Sequence, residues 1–135
     1  MGEPAAAAVP IKRVYETPSP DDGLRILVDR LWPRGLKREA AELDRWVKDV
    51  APSPDLRTWW NHDPARMTEF AHRYRAELAE NPAVSELQAL VDGGTHVTLL
   101  FAAKDEQVNH ALVLAEYLAG NRPRPPLSRP SSGRA

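Results

Sequence analysis

Cysteine is missing from all 135 residues. That excludes a disulfide scaffold, a zinc site built on thiolates and a thiol nucleophile, and it fits a reducing compartment. Long apolar runs are missing too, so no membrane-spanning helix is expected. The opening Met1-Gly2-Glu3-Pro4 and its four alanines have neither a basic start nor an apolar core, so they are not read as a secretory signal. A cytoplasmic protein is expected. Internal repeats, glycine-rich phosphate loops, Gly-x-Ser-x-Gly elbows and paired His-Glu zinc motifs are also absent. The sequence therefore names no cofactor.

Charge of one sign is scarce in a telling place. The net charge is −1, but the stretch after Gly120 holds Arg122, Arg124, Arg129 and Arg134 and no acid. Residues 11–120 carry 14 Lys/Arg against 18 Asp/Glu, a net −4. An acidic body lacks the clustered cations that grip a phosphate backbone, so nucleic acid is not the expected partner.

What is present suits one small core, with 42% hydrophobic residues and four tryptophans. Residues 1–10 read as a disordered Ala/Pro lead, 11–120 as a single domain, and 121–135 as a disordered Pro/Arg-rich tail. Alternation over Ile11–Glu16 predicts an edge strand. Arg25-Ile26-Leu27-Val28 and His96–Ala103 are continuous apolar runs, as in the central strands of a covered sheet. Leu43, Trp46, Val47 and Val50 fall at i, i+3, i+4 and i+7 and predict a helix. Ser53, Asp63-Pro64 and Asn81-Pro82 carry the chemistry of helix starts, and Gly93-Gly94 that of a stop. Asp105 is predicted to cap a last helix with stripe Val108, Ala111, Leu112, Ala115 and Leu118.

Three strands with helices between and after them make an α/β fold: a small, mostly parallel sheet with helices packed on both faces. The long connection from residue 30 to 95 makes the second and third strands parallel. Their carboxyl ends then meet at one edge, where loops and helix N-termini converge and ligands bind.

Both exits at that edge are rich in functional groups. The first is Val28-Asp29-Arg30-Leu31-Trp32-Pro33-Arg34-Gly35, and the second runs from Ala103-Lys104-Asp105 to Asn109-His110. Arg30 and Arg34 fit the bidentate geometry of an anion, or else pair internally with Asp29 or Asp105. Trp32 and Trp60 either wall a ligand or join the core, as Trp46 and Trp59 are expected to. His110, placed one turn into the last helix, is a ready proton carrier. Asp29 is read as a base, as an orienter of Arg34 or as a brace for the following turn, while His62 and Asn109 are further candidate ligand contacts. His62, His110 and Asp105 have no metal-ligand spacing, so no metal site is expected. Asp105 and Glu106 at the predicted helix start argue against a simple phosphate site and for a mixed-charge cleft.

The run Leu27–Gly35 resembles the signature of the YeaO-like family, a bacterial group of uncharacterised proteins. The likeness extends through Trp46, Trp59–Pro64, Phe70, Arg73-Tyr74 and Leu99–Asp105 to Asn109-His110-Ala111, nearly all of residues 11–118. The resemblance implies an α/β sandwich and brings no established activity. The wider superfamily often carries Asp-x-Arg after one strand and Cys-His-Arg after a later one. Asp29-Arg30 is close to the first, and Asn109-His110-Ala111 retains only the histidine of the second.

Two functional expectations follow. The first is a ligand-binding or catalytic cleft for a small polar, nucleotide-like or anionic ligand: Arg30 and Arg34 position it, Asp29 or Asp105 orients, and His110 exchanges a proton. The alternative is a non-catalytic regulatory domain whose basic tail contacts nucleic acid or protein. Neither turnover nor oligomeric state can be read from the residues.

Overall fold

The computed structural model describes residues 9–105 and 107–120. Four strands, β1 (Ile11–Arg13), β2 (Leu24–Leu27), β3 (Arg45–Trp46) and β4 (Val97–Phe101), form one sheet in the order β1-β4-β2-β3. Every pairing is parallel, with Ile26 of β2 opposite Leu99 of β4 and Ile11 of β1 opposite the same Leu99. The helices are α1 (Arg38–Ala41), α2 (Pro54–Trp60), α3 (Met67–Ala79), α4 (Pro82–Asp92) and α5 (His110–Leu118). This is the α/β architecture expected, with the two central strands parallel. The lead before residue 9 and the tail from residue 121 lie outside the described residues.

Alternation along the strands sorts the core into two layers. Ile26, Val28, Val97, Leu99 and Phe101 face a large cluster with α2 to α5, anchored by Trp60, Phe70, Tyr74, Leu87 and Leu114. Leu27 and Leu100 face the other way, onto Val14, Ala41, Trp32, Leu36, Leu43 and Trp46. Helices thus cover both faces, although α1 is a single turn and the loop around it does most of the covering.

The helix predicted over Leu43–Val50 is not there. Glu42, in the left-handed region at φ 47, ends α1. The chain then runs out as β3, with Asp44 N–H donating to the Arg25 carbonyl (2.8 Å) and Val47 N–H to that of Leu27 (2.9 Å). Only a 3₁₀ turn at Lys48–Val50 remains of the helical pattern. The apolar positions there are largely β-branched or aromatic, and pairing as a strand satisfies backbone groups on the open edge of β2 that a helix, bonded within itself, would leave bare. The sheet therefore has four strands instead of three.

The helix-start chemistry is used as expected. Ser53 accepts from Leu56 N–H, Asp63 from Ala65 N–H and Asn81 from Ala83 N–H. Asp63 begins a 3₁₀ turn at Pro64–Arg66 that runs directly into α3.

At the amino edge of the sheet a polar lock is buried. Asp22 (7% exposed) pairs with Arg25 (4% exposed) at 2.5 Å and with Lys12 at 3.2 Å. Arg25 spends its remaining N–H groups on the carbonyls of Ala41 and Glu42, and Thr98 Oγ1 donates to the Asp22 carbonyl. Burial alone would raise the Asp22 carboxyl. Hydrogen bonds from Ser19, Arg25 and Lys12 outweigh it and hold the pKa below 3.8. Gly23 lies beside this lock at φ 63, where a Cβ would overlap the His96 carbonyl.

Candidate functional site

The carboxyl ends of β2 and β4 are stitched together by one carboxylate. Asp29 Oδ2 accepts the Ala102 N–H (3.0 Å), so the exit of β2 is tied to the exit of β4. The Asp29 carbonyl in turn accepts the Trp46 indole N–H (2.8 Å), which ties in β3. The other carboxylate oxygen, Oδ1, lies 3.4 Å from His110 Nε2.

His110 is the first residue of α5, not a residue one turn in, because the cap is Asn109 and not Asp105. Asn109 is wholly buried; its Oδ1 accepts Leu112 N–H and its Nδ2 donates to the Asp105 carbonyl, both at 2.9 Å. Asp105 is exposed and braces the turn before the helix, accepting from Gln107 N–H (2.8 Å) and Val108 N–H (3.0 Å). Asparagine and aspartate are both strong N-caps. What chose between them is that Asp105 spends its Oδ1 on Gln107 and Val108 N–H ahead of the helix, which starts at His110. Glu106 lies outside the described residues. The reading of two carboxylates on the helix N-terminus therefore does not hold for Asp105.

His110 Nε2 lies 3.0 Å from the Val28 carbonyl. A carbonyl only accepts, so Nε2 carries the hydrogen, and Nδ1 is the unprotonated nitrogen of the neutral ring. Burial pushes the His110 pKa below 6.5, against the pull of the Asp29 charge and the Val28 carbonyl. Burial pushes Asp29 up from 3.8, against the His110 charge, the Ala102 N–H and the His62 charge. The two groups move toward each other and titrate as a pair.

Aromatic rings wall one side. His62 stacks on Trp60 (4.6 Å), Trp60 on Phe70 (3.7 Å) and Phe70 on Tyr74 (5.5 Å), and Tyr74 meets the His110 ring edge-on at 6.1 Å. The Tyr74 hydroxyl donates to the Val50 carbonyl (2.5 Å), and burial holds its pKa well above 10. Trp60 is buried (1% exposed) and belongs to the core. His62 is exposed, and both it (φ 53) and Asn61 (φ 50) lie in the left-handed region. Such a conformation is costly for side chains other than glycine, and here it brings the imidazole back over Trp60.

The remaining candidates separate. Arg30 is half-buried, and its Nε is buried without a hydrogen-bond partner among the described residues. Arg34 is exposed; its carbonyl accepts the Tyr15 hydroxyl (2.8 Å). Neither arginine pairs with Asp29 or Asp105, so internal pairing is not their role among the described residues. Trp32 packs in the second core layer, edge-on to Trp46 at 5.5 Å, with its N–H on the Leu36 carbonyl and Arg38 over its ring. Trp59 lies at the margin of the large core, between Arg66 and Arg73. Among the described residues no three His, Asp or Glu are placed to hold a metal.

Sequence reasoning missed Tyr74 and Trp46 as neighbours of the dyad. Both carry a clear signal for the core and none for the site, since only tertiary contact brings them to His110 and Asp29. The Ala102 N–H is a backbone group and leaves no mark in the side-chain pattern.

This chain matches, over residues 8–132, a family model described as the inactive DUF488-N3 subclade. The chain belongs to that subclade. Its relatives include the uncharacterised protein Rv3073c of Mycobacterium tuberculosis, 46% identical over 112 residues that cover 83% of this chain and 94% of that one. The uncharacterised protein YeaO of Escherichia coli is 43% identical over 107 residues, 79% of this chain and 93% of its own. The YeaO-like resemblance carried by Leu27–Gly35 is thereby established. No solved structure matches. Like the chain's α/β sheet, the absence from the described residues of any helix long and apolar enough to cross a membrane agrees with the sequence. What this subclade member does is not given by its relatives, whose names state no activity.

Proposed function

We propose that this protein binds a small polar ligand, anionic or nucleotide-like, at the carboxyl edge of its sheet. One observation carries the reading. Asp29 Oδ1 and Arg30 Nε, from consecutive residues at the β2 exit, are buried with no hydrogen-bond partner among the described residues. Buried polar atoms are normally satisfied, and leaving one unsatisfied costs about 1–3 kcal/mol. An acceptor and a donor left unsatisfied at adjacent residues suit a ligand that offers both a hydrogen-bond donor and an acidic or carbonyl oxygen. Arg30 and the exposed Arg34 position the ligand, Asp29 orients, and His110 supplies or takes the proton that accompanies it. The description of the subclade as inactive favours binding over turnover.

The test is a thermal-shift screen of nucleotides and small organic anions against the wild type, Arg30→Ala and His110→Gln. A ligand at about a hundred times its Kd should add about 2.7 kcal/mol of stability. Arg30→Ala should remain folded and lose that shift. A screen in which nothing stabilises the wild type, or a shift that survives in Arg30→Ala, would sink the reading.

A further inference from the structure

The loop that leaves β2 carries a second feature, independent of the Asp29–His110 pair. Residues 30–38 hold Arg30, Arg34, Lys37 and Arg38 and no carboxylate; acids resume at Glu39. Elsewhere among the described residues most cations reach a carboxylate: Lys12, Arg25, Arg45, Arg66, Arg73 and Arg75 do, while Arg13, Lys48, Arg57 and Lys104, scattered along the chain, do not. The four on this loop form no ion pair among the described residues, although the body as a whole has more acids than bases. Like charges close in sequence without counter-charges repel, and among the described residues only Arg38 has a partial offset, the face of the Trp32 ring.

The same loop displays apolar surface. Leu31 is 70% exposed, and Tyr15, whose hydroxyl holds the Arg34 carbonyl, is 42% exposed. These are the exposed large hydrophobic side chains among the described residues. A single exposed leucine is ordinary, but one inside an unpaired cationic loop and tied down by a neighbouring tyrosine is a binding arrangement.

We infer that this loop is a docking surface for an acidic protein segment bearing an aliphatic anchor. Single-stranded nucleic acid would also meet the charge, but it needs open ring faces for its bases. Here Arg13 lies over the Tyr15 ring at 5.1 Å and Arg38 over the Trp32 ring at 4.9 Å, while Trp46 meets Trp32 edge-on. The freely presented group is Leu31, which has no face to stack. Carboxylates on Arg34, Lys37 and Arg38 around an aliphatic contact at Leu31 satisfy both features.

Fluorescence anisotropy of the full chain tests it with three labelled probes: a peptide of glutamate and leucine, its lysine–leucine counterpart, and an oligouridine. The glutamate–leucine peptide should bind, and more weakly at high salt. Leu31→Ser should weaken it about tenfold, and the double variant Lys37→Glu/Arg38→Glu should weaken it as much and flatten the salt dependence. Arg73→Glu, exposed on α3 against the opposite face of the sheet, should leave it unchanged. None of these variants touches Asp29, Arg30, Arg34 or His110, so the small-ligand reading can fail without this one. Tighter binding of oligouridine, equal binding of the lysine peptide, no binding of any probe, or indifference to the Leu31 and Lys37/Arg38 changes overturns the proposal. So does a self-association that Leu31→Ser abolishes, which would make the occupant a second copy.

Discussion

At the scale of single residues, the chain sets an acid and a base against their usual tendencies. His110 is held neutral by burial, so its folded pKa is below the 6.5 it would have when unfolded. The unfolded state then binds more protons as pH falls through 6.5, and stability drains away toward the lower folded value. Asp29, raised above 3.8, acts in the opposite sense: its contribution is full below 3.8 and is lost as pH rises through its folded pKa. In chemical denaturation followed against pH, wild type should therefore gain stability relative to His110→Gln as pH rises toward 6.5, and the difference should level off above it. A difference that is flat over that window would mean His110 titrates as freely as in the unfolded chain. The residue types of this dyad were legible, because Asp29 and His110 stand out at strand exits. Their contact was not, since the sequence placed Asp105, not Asn109, at the helix start.

At the scale of elements, the β2 strand is pinned at both ends by different chemistry. Its carboxyl end is held by Asp29 and the Ala102 N–H, its amino end by the Asp22–Arg25 pair. The second is the stronger fastening, because Arg25 is 4% exposed and also satisfies the carbonyls that close α1. Removing Arg25 leaves buried Asp22 with Lys12 alone at 3.2 Å and strips the Ala41 and Glu42 carbonyls of their donor, so Arg25→Ala should cost about 3–5 kcal/mol in equilibrium unfolding. A loss below about 1 kcal/mol would show the pair to be solvated, as exposed pairs are. Arg25 was read only as the first residue of an apolar strand. Nothing in the strand pattern says which carboxylate lies at its amino end. The β3 strand teaches the same point, since periodicity over Leu43–Val50 favoured a helix until the free edge of β2 offered backbone partners.

At the scale of the whole molecule, the regulatory alternative rests on residues 121–135, outside those described. The tail has four arginines and no apolar period, whereas the body before it is acidic. Deleting 121–135 is expected to leave the melting temperature unchanged, and neither form is expected to bind DNA or RNA with a salt-dependent affinity. A full-length protein that binds nucleic acid while the truncated one does not would restore the tail-mediated reading. The class of fold, the parallel central strands and the edge at which polar groups gather all followed from sequence. Continuous apolar runs, proline-bounded helix starts and a connection too long for a hairpin are local or topological constraints that hardly depend on packing detail. Four other features were decided by tertiary structure alone: the fourth strand, the cap at Asn109, the Asp29–His110 contact, and the absence of an ion pair for Arg30 among the described residues where Arg25 has one. Each depends on which donor and acceptor meet once the sheet has closed. Residues far apart in the chain compete for those partners, and spacing along the sequence carries no record of which one wins.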